Sequence, residues 1–325
     1  MKQAHNFARA ELVPFTPTGF HLQESPLKKI LIYLILIVFA GSSPAQELLI
    51  VHTNDLHGHI TEEKEYAGAA RIAAFVRELR ANHPLVLFVD AGDAITGTPV
   101  SSLFEGEPIF DVMNAMGYDV GLLGNHEFDY GADKITRFRE IAKFPLLGAT
   151  AFDSQDRVLS DSPFIIIERG TLKIGIIGIL TDTTITPHGN KNLTFKSPAE
   201  VLKQLIPAIR PKVDFLMVLS HTGFTEDIAL AKQFQEIDLF VGGHSHTFNK
   251  HPVNTGRNRV VQADKHGRHL GLVKINIDPK LGPMEFTGYL LAADELPQPD
   301  ANVLSLVETY ESQVRDRVDT PIWKT

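Results

Sequence analysis

Residues 48–59, LLIVHTNDLHGH, join a run of apolar and β-branched residues directly to side chains that can bind metal ions. A continuous apolar run of this kind predicts a buried strand. The same order of apolar run and polar end recurs in 86–93 (VLFVDAGD), 119–129 (DVGLLGNHEFD), 215–221 (FLMVLSH) and 239–246 (LFVGGHSH). Because open α/β sheets bind ligands beyond the carboxyl ends of their strands, we expect these five segments to meet at one site.

Predicted helices alternate with predicted strands along the chain, and this alternation predicts a layered α/β fold. Ile72, Phe75, Val76 and Leu79 repeat at helical spacing, which gives one apolar face to cover a sheet. Residues 197–200 (SPAE) form a predicted capping box with proline at the first helical position. The predicted strands are Leu48–His52, Leu85–Asp90, Asp119–Leu123, Lys173–Leu180, Asp214–Ser220, Leu239–Gly242, Arg259–Ala263 and Leu272–Asp278.

The composition excludes several classes of protein and of site. The chain has 325 residues, of which 43% are hydrophobic and 22% charged, so it can bury a sizeable core. Its formal net charge of −8 argues against a general nucleic-acid binder held by phosphate contacts. Cysteine is absent, which excludes disulfides, zinc–thiolate sites and thiol catalysis. His, Asp, Glu and Asn remain as the candidate metal ligands.

The amino terminus has the pattern of a secretory signal peptide. Lys28 and Lys29 precede the apolar run Ile30–Ala40, and small residues follow as far as Ala45. The run would span about 16 Å as a helix, against about 30 Å of hydrocarbon in a bilayer, so we expect no stable membrane span. Residues 1–45 are therefore predicted to be removed from a secreted or periplasmic protein, with an uncleaved membrane anchor as the alternative.

The polar strand ends supply seven side chains of metal-ligand type. Taken singly they have plain structural readings, since Gly92-Asp93 suits an ordinary turn and His221 suits a strand end with a backbone partner. Their ordered conjunction favours a metal site, and seven ligands exceed what one tetrahedral ion needs. Two divalent ions are therefore predicted, an arrangement that suits phosphoester hydrolysis. The candidate ligands are Asp55, His57, Asp93, Asn125, His221, His244 and His246.

From about residue 48 to residue 318 the sequence resembles the calcineurin-like metallophosphoesterases. More narrowly, it is similar to the catalytic domain of the secreted 5'-nucleotidase and UDP-sugar hydrolase family. The most specific passages are 52–59 (HTNDLHGH), 121–131 (GLLGNHEFDYG) and 242–246 (GGHSH). The resemblance implies a layered α/β sandwich of two central mixed sheets flanked by helices, with residues 46–298 as the catalytic domain.

The resemblance also implies roles for single residues. Asp93 would bridge two divalent ions, which could be Zn, Mn, Co or Mg. His126 would stabilise the transferring phosphoryl group and assist the leaving oxygen, with Asp129 as its carboxylate partner. The implied mechanism is direct attack of a metal-bound hydroxide on phosphorus. The remaining ligands would divide between the two ions as Asp55, His57 and His246 at the first and Asn125, His221 and His244 at the second.

Two features depart from the family pattern. Nucleotidases of the family typically have an amide at position 246, where this chain has histidine, and this weakens the inference to nucleotides. Two-domain relatives also carry a second domain that binds the nucleoside. Here residues 299–325 are predicted as an amphipathic helix and tail, with apolar residues at Val303, Val307, Tyr310 and Val314. That helix could pack on its own domain or dock a separately encoded nucleotide-binding domain.

The leading prediction is a 5'-nucleotidase-like phosphomonoesterase that acts on a small phosphoester, with nucleotides as the first choice. A cyclic-nucleotide phosphodiesterase, a nucleotide-sugar pyrophosphatase or a thiosulfohydrolase-like enzyme would use much the same motifs. A non-catalytic partner subunit is a further alternative. That alternative predicts that ligands are missing, and none of the seven expected ligand residues is missing from the sequence.

Overall fold

The computed structural model describes residues 45–181, 190, 192–278 and 281–318. The predicted signal peptide lies outside the described residues except for Ala45. Residues 319–325 of the predicted tail also lie outside them. Within the described ranges, no helix has the length and apolar character that crossing a bilayer requires.

The strands carry most of the buried apolar runs of the sequence. They are β1 (Gln46–Thr53), β2 (Val86–Asp90), β3 (Gly121–Leu122), β4 (Leu146–Leu147), β5 (Ala151–Phe152), β6 (Phe164–Arg169), β7 (Leu172–Leu180), β8 (Thr194–Phe195), β9 (Phe215–His221), β10 (Leu239–Gly242), β11 (Val253–Asn254), β12 (Arg259–Val261), β13 (His269–Asp278) and β14 (Gly282–Ala292).

Helices fill most of the connections between these strands, and short 3-10 turns lie at His126–Phe128, Arg210–Lys212 and Ala293–Glu295. The α-helices are α1 (Gly68–Asn82), α2 (Pro99–Ser102), α3 (Glu107–Met116), α4 (Ala132–Ile141), α5 (Pro198–Ile209), α6 (Phe224–Gln233) and α7 (Ala301–Val318).

Within the described residues the larger strands form two mixed sheets, in the orders β14-β13-β1-β2 and β11-β12-β10-β9-β7-β6. Strand β1 pairs in parallel with β2, and β7, β9, β10 and β12 are mutually parallel neighbours. Parallel strands end at the same edge of a sheet, so the loops after β1 and β2 lie at one edge of the first sheet and the loops after β9 and β10 at one edge of the second. The predicted fold class, two mixed sheets flanked by helices, is confirmed.

Alternate side chains of each central strand enter different cores, as the twofold repeat of a strand requires. Leu48 and Ile50 of β1 lie in the core between the two sheets, together with Phe215 and Met217 of β9. The opposite face of the β1–β2 sheet packs against α1, α3, α4 and α7. The opposite face of the β7–β9 sheet packs against α5 and α6. The strands are thus buried on both faces, and this explains their uninterrupted apolar runs.

Helix α7 packs on the helical layer that covers the β1–β2 sheet. Val303, Val307 and Val314 are buried in the same core as α1 and α3. The Tyr310 hydroxyl donates to Asp111 of α3 over 2.9 Å, and the Thr61 hydroxyl donates to Glu311 over 2.7 Å. The apolar spacing predicted for this helix therefore corresponds to a face that the protein covers itself.

Two local expectations differ from the structure. Helix α5 begins at Pro198 as predicted, but within the described residues the Ser197 side chain makes no capping hydrogen bond, so the capping box is wrong in that detail. The third predicted strand, Asp119–Leu123, contracts to the two residues of β3. Short β4 is its ladder partner, and Val120 adds only an isolated bridge to Val89.

Candidate metal centre

The predicted ligands lie in loops at the carboxyl ends of the strands. Asp55 and His57 follow β1, and their backbone N–H groups donate to the carbonyls of Gly92 and Asp93 over 2.9 and 3.0 Å. We call residues 91–95 the Asp93 loop and residues 123–127 the Asn125 loop. His221 is the last residue of β9, and two more histidines follow β10. The structure brings all seven predicted ligands into one cluster, and the additional residues His126 and Asp129 lie beside it.

One group of ligand atoms lies around Asp55, His57 and His246. One ligand atom from each of these residues falls within 4.8 Å of the others. His57 Nε2 lies 3.2 Å from His246 Nε2, and Asp55 Oδ1 lies 3.4 Å from His246 Nε2. Two ligands held at about 2.1 Å from one tetrahedral ion are about 3.4 Å apart. These spacings therefore fit a single divalent ion.

A second group is formed by Asp93, His221 and His244, whose ligand atoms also lie within 4.8 Å of one another. Asn125 joins this group, because its Oδ1 lies 2.9 Å from His244 Nδ1. Asp93 Oδ2 is 2.9 Å from His221 Nε2 in this group and 4.0 Å from His57 Nε2 in the other. Asp93 thus lies between the two groups, where a bridging carboxylate would have to be.

His221 carries a direct sign that the cluster suits a cation. The ring is buried, and its Nδ1 lies 2.7 Å from the carbonyl oxygen of Ala91, to which a protonated Nδ1 donates. Its Nε2 is also buried and makes no aligned hydrogen bond within the described part of the chain. A histidine that donates through one ring nitrogen presents the lone pair of the other, as metal-ligating histidines do. Position and chemistry of this nitrogen therefore fit an ion.

The charges of the second group point the same way. Burial lowers the pKa of His221, but Asp93, Asp55 and the Ala91 carbonyl together raise it by more, and the pKa is about 10. Burial correspondingly raises the pKa of Asp93, while His221, His126 and His57 together lower it by more, so that carboxyl stays ionised well below its ordinary range. Without an ion, a proton supplies the positive charge that Asp93 attracts. A metal would compete with that proton for the same nitrogen.

The backbone of the ligand loops is unusual. Asp55, His57, Asp93, His244 and His246 all have positive φ, between 48° and 74°. Residues other than glycine rarely adopt this left-handed conformation, and it is found most often where a functional arrangement requires it. Five of the seven predicted ligands are therefore held in a backbone conformation that is unfavourable in isolation.

Close approach of the loops depends on glycine at two positions. A Cβ at Gly124 would lie 2.2 Å from Asp93 Oδ1 and 2.5 Å from the Asp93 backbone nitrogen. A Cβ at Gly243 would lie 2.7 Å from His221 Nδ1 and 2.8 Å from the Ala91 carbonyl oxygen. Both spaces are too small for any side chain, so these glycines allow the loops to touch.

His126 and Asp129 form a pair at the rim of the cluster. His126 Nδ1 lies 2.6 Å from Asp129 Oδ2, and the His126 side chain is 39% exposed. The hydrogen bond to Asp129 outweighs burial and raises the pKa of His126 to about 9. The imidazole is therefore protonated at neutral pH. The His126 backbone N–H donates to Asp93 Oδ1 over 2.9 Å, which connects this pair to the carboxylate between the two groups.

Asn54 and Glu127 belong to the site as well, and the sequence analysis assigned neither of them a role. The Asn54 amide donates to Asp55 Oδ2 over 2.7 Å and to the Asp264 carbonyl over 2.6 Å, so it orients Asp55. Glu127 is fully buried and accepts backbone N–H groups from both the Asp93 loop and the Asn125 loop. The only sequence signal for either residue was its place inside a ligand motif.

Comparison with known proteins places this arrangement in context. The family model described as calcineurin-like phosphoesterase matches residues 48–248. A snake venom 5'-nucleotidase from Gloydius brevicauda is 34% identical over 89% of this chain and 55% of its own length. A 5'-nucleotidase from Homo sapiens is 31% identical over 73% of this chain and 47% of its own length. The chain thus spans about half the length of these relatives.

Among solved structures, a 5'-nucleotidase precursor from Thermus thermophilus superimposes with a TM-score of 0.74 at 28% identity. The match covers 84% of this chain and 60% of that one. A sulfate thiohydrolase from Thermus thermophilus superimposes with a TM-score of 0.75 at 18% identity, over 86% of this chain and 63% of its own. That second likeness concerns the fold alone.

Proposed function

Because the chain belongs to the calcineurin-like phosphoesterase family, we propose that it is a metal-dependent phosphoric ester hydrolase of 5'-nucleotidase type. The observation that carries this proposal is the single cluster in which Asp93 lies between two groups of ligand atoms. Two divalent ions bound there would supply Lewis acidity towards the phosphoryl oxygens and an activated water. Zn, Mn, Co and Mg all remain candidates, because ligand type alone does not select among them.

The proposed division of ligands follows the two groups. Asp55, His57 and His246 would hold the first ion, while Asn125, His221 and His244 would hold the second. Asp93 would contribute to both. Histidine at position 246 serves here as well as the amide of other nucleotidases, since its Nε2 lies within 3.4 Å of the Asp55 carboxylate and 3.2 Å of His57 Nε2.

His126 and Asp129 act on the substrate in this proposal. Asp129 holds His126 through Nδ1, so the proton on Nε2 is available to the phosphoryl group. A positive imidazolium stabilises the negative charge that develops on the phosphoryl oxygens and can pass its proton to the leaving oxygen. In the metal-free protein the hydrogen bond with Asp129 raises the pKa of His126 to about 9, so the ring is protonated at neutral pH before ions bind.

The remaining parts of the proposal concern the whole protein. We propose a nucleotide as the substrate, residues 46–298 as the catalytic domain and residues 299–325 as its terminal helix and tail. Export of the chain after removal of residues 1–45 agrees with the venom origin of the Gloydius relative. The relatives are long enough to include a further domain. A separately encoded nucleotide-binding domain would be a partner of this site.

The test is hydrolysis by metal-loaded protein of a panel of nucleoside monophosphates, cyclic nucleotides, nucleotide sugars and thiosulfonate esters. We expect the monophosphates to be the best substrates. His126→Ala should keep both ions and lose about 10²–10³-fold in kcat. His83→Ala, a change at an exposed histidine beside Glu47, should leave kcat unchanged. If the protein prefers another substrate class on the panel, that class replaces nucleotides in the proposal. Absence of hydrolysis across the panel would refute the proposal.

A further inference from the structure

Glu127 has an environment that none of the proposed catalytic roles explains. It lies between His126 and Phe128 in the short helical turn and is fully buried. Among the described residues, four backbone N–H groups converge on its carboxylate and no basic side chain pairs with it. Oε2 accepts from Asp93 and Gly124 over 3.1 and 2.6 Å, and Oε1 accepts from Ala94 and Ile95 over 2.9 and 3.3 Å.

These donors belong to two separate loops. Asp93, Ala94 and Ile95 are in the Asp93 loop, whereas Gly124 and Glu127 itself are in the Asn125 loop. One carboxylate therefore joins the loop that carries the central ligand to the loop that carries Asn125 and His126. Four N–H dipoles that point at one place repel one another unless an acceptor lies between them, and Glu127 supplies that acceptor where the two loops approach.

The separation of the two loops matters because a bridging carboxylate tolerates little error in its distances to the ions. Ligand distances to a divalent ion are about 2.0–2.2 Å, and Asp93 would have to meet that condition at two ions. The Asp93 side chain is also held by the His126 backbone N–H, in the loop that Glu127 anchors. A shift between the loops would move Asp93, Asn125 and His126 relative to one another.

We propose that Glu127 is a positioning residue, whose carboxylate holds the Asp93 loop and the Asn125 loop at the separation that two-ion binding requires. This inference rests on the proposed function for its effect on turnover. Its effect on metal affinity can be measured without any turnover, so the two proposals fail separately.

The test uses Glu127→Gln, because an amide of the same shape must turn its NH₂ group towards two of the four N–H donors. The matched control is Asp238→Asn. Asp238 also joins two segments, accepting the Leu216 N–H over 2.8 Å and Arg210 over 2.6 Å, but it precedes β10 and lies at the opposite end of that strand from His244. Both variants remove one oxygen of a structural carboxylate.

For each protein we would measure the Tm without metal, the Kd for Zn²⁺ and Mn²⁺ by chelator competition, and kcat and KM. Both variants should lose some metal-free Tm. Glu127→Gln should weaken metal binding by about 10- to 100-fold and lower kcat more than it changes KM. Asp238→Asn should keep the wild-type metal Kd. Equal metal Kd values for Glu127→Gln and Asp238→Asn would overturn the proposal and leave Glu127 with a structural role only.

Glu127→Asp keeps the carboxyl group but is one methylene shorter, so it serves if Glu127→Gln does not fold. It cannot reach both loops from the same backbone, and we expect at least a tenfold weaker metal Kd with folding retained, as judged by circular dichroism. A folded Glu127→Asp protein that binds both ions within about threefold of wild type would equally overturn the proposal. If the wild type binds metal but hydrolyses nothing on the panel, the metal Kd comparison still decides the role of Glu127.

Discussion

Asp93 is the residue on which the two groups of ligand atoms depend, since it lies within reach of both. Asp93→Asn should leave the fold intact, because asparagine tolerates the left-handed conformation found there. The amide can still accept the His126 N–H but cannot offer a charged oxygen to a second ion. We expect hydrolysis to become undetectable and the metal content, measured by elemental analysis, to fall. Retention of two ions with activity within tenfold of wild type would contradict the bridging role.

Asp90 offers a test of electrostatics behind the ligands. It is fully buried, and it accepts the Thr53 hydroxyl over 2.6 Å and the Gly92 N–H over 3.0 Å. Burial raises its pKa from 3.8 to about 8. Between pH 3.8 and pH 8 the Asp90 carboxyl is ionised in the unfolded chain and protonated in the folded chain, so the free energy of unfolding falls as pH rises. The contribution of Asp90 to that free energy is complete below pH 3.8 and absent above pH 8.

Asp90→Asn should remove that dependence. The Thr53 hydroxyl can turn to accept from the new amide, since it also lies 2.8 Å from the Tyr118 hydroxyl. Denaturant unfolding of metal-free protein between pH 5 and 9 would measure the difference. The wild type should lose several kcal/mol relative to the variant as pH rises through this range. Parallel curves for the two proteins would show that Asp90 ionises normally in the folded state.

At the residue scale, the sequence identified the candidate ligands better than the residues that position them. Asp, His and Asn recur directly after five buried apolar runs, and this conjunction made the seven ligands stand out. The structure gathers them, although their binding of ions stays a prediction. Asn54 and Glu127 could not be assigned in this way. Each of them also has partners in other loops, and the distance between two loops is not encoded in the residue spacing within either loop.

At the scale of elements, strands buried on both faces were the most predictable. β2, β7, β9 and β10 begin and end within one residue of their predicted bounds, because an unbroken apolar run has few other uses. Strand β14 was missed. Its sequence, GPMEFTGYLLA, contains two glycines and a proline and has only partly buried or exposed side chains. It is an edge strand, and its pairing with β13 holds it in place.

Helix α7 gives a test of packing that is separate from the chemistry. Val303 is fully buried in the helical core, whereas Val318 at the end of the same helix is 66% exposed. Val303→Ala should lower the free energy of unfolding by about 2 kcal/mol, from lost apolar burial and an incompletely closed cavity. Val318→Ala should change it by less than about 0.5 kcal/mol. Denaturant unfolding checks both values.

Neither valine change should alter kcat, since α7 packs against helices and carries no ligand. Equal stability of the Val303 and Val318 variants would mean that the helix is not docked in solution. That result would support the alternative in which its apolar face docks a separately encoded domain.

At the scale of the whole molecule, the metal centre joins loops from both sheets. Asp55 and Asp93 extend from the β1–β2 sheet, and His221 and His244 from the β9–β10 sheet, so bound ions would cross-link the two layers. Ions that bind only the folded state stabilise it by about 4 kcal/mol each at a thousandfold excess over Kd. For a chain of this size, chelation should therefore lower the Tm by about 10 °C or more.

Thermal unfolding with and without EDTA checks this value, and Asp93→Asn should show a much smaller difference between the two conditions. A wild-type Tm that is unaffected by chelation would argue against ions in the cluster. The layered architecture itself was predictable, because the alternation of apolar runs and helical patterns extends through the chain. The meeting of the two sheets at one edge depended on which strands are neighbours, and that order is known only from the structure.

The left-handed backbone of the ligand loops implies a conflict between the stability of the fold and the arrangement of the ligand side chains. At Asp55, His57, Asp93, His244 and His246 the fold accepts an unfavourable conformation, of order 1 kcal/mol or more at each position, to aim a side chain. Selection for heat tolerance alone would therefore favour glycine or asparagine at these positions and would remove the candidate ligands before it changed the rest of the fold. A programme to thermostabilise this protein should hold these five positions constant and look for its gains in the helical layers.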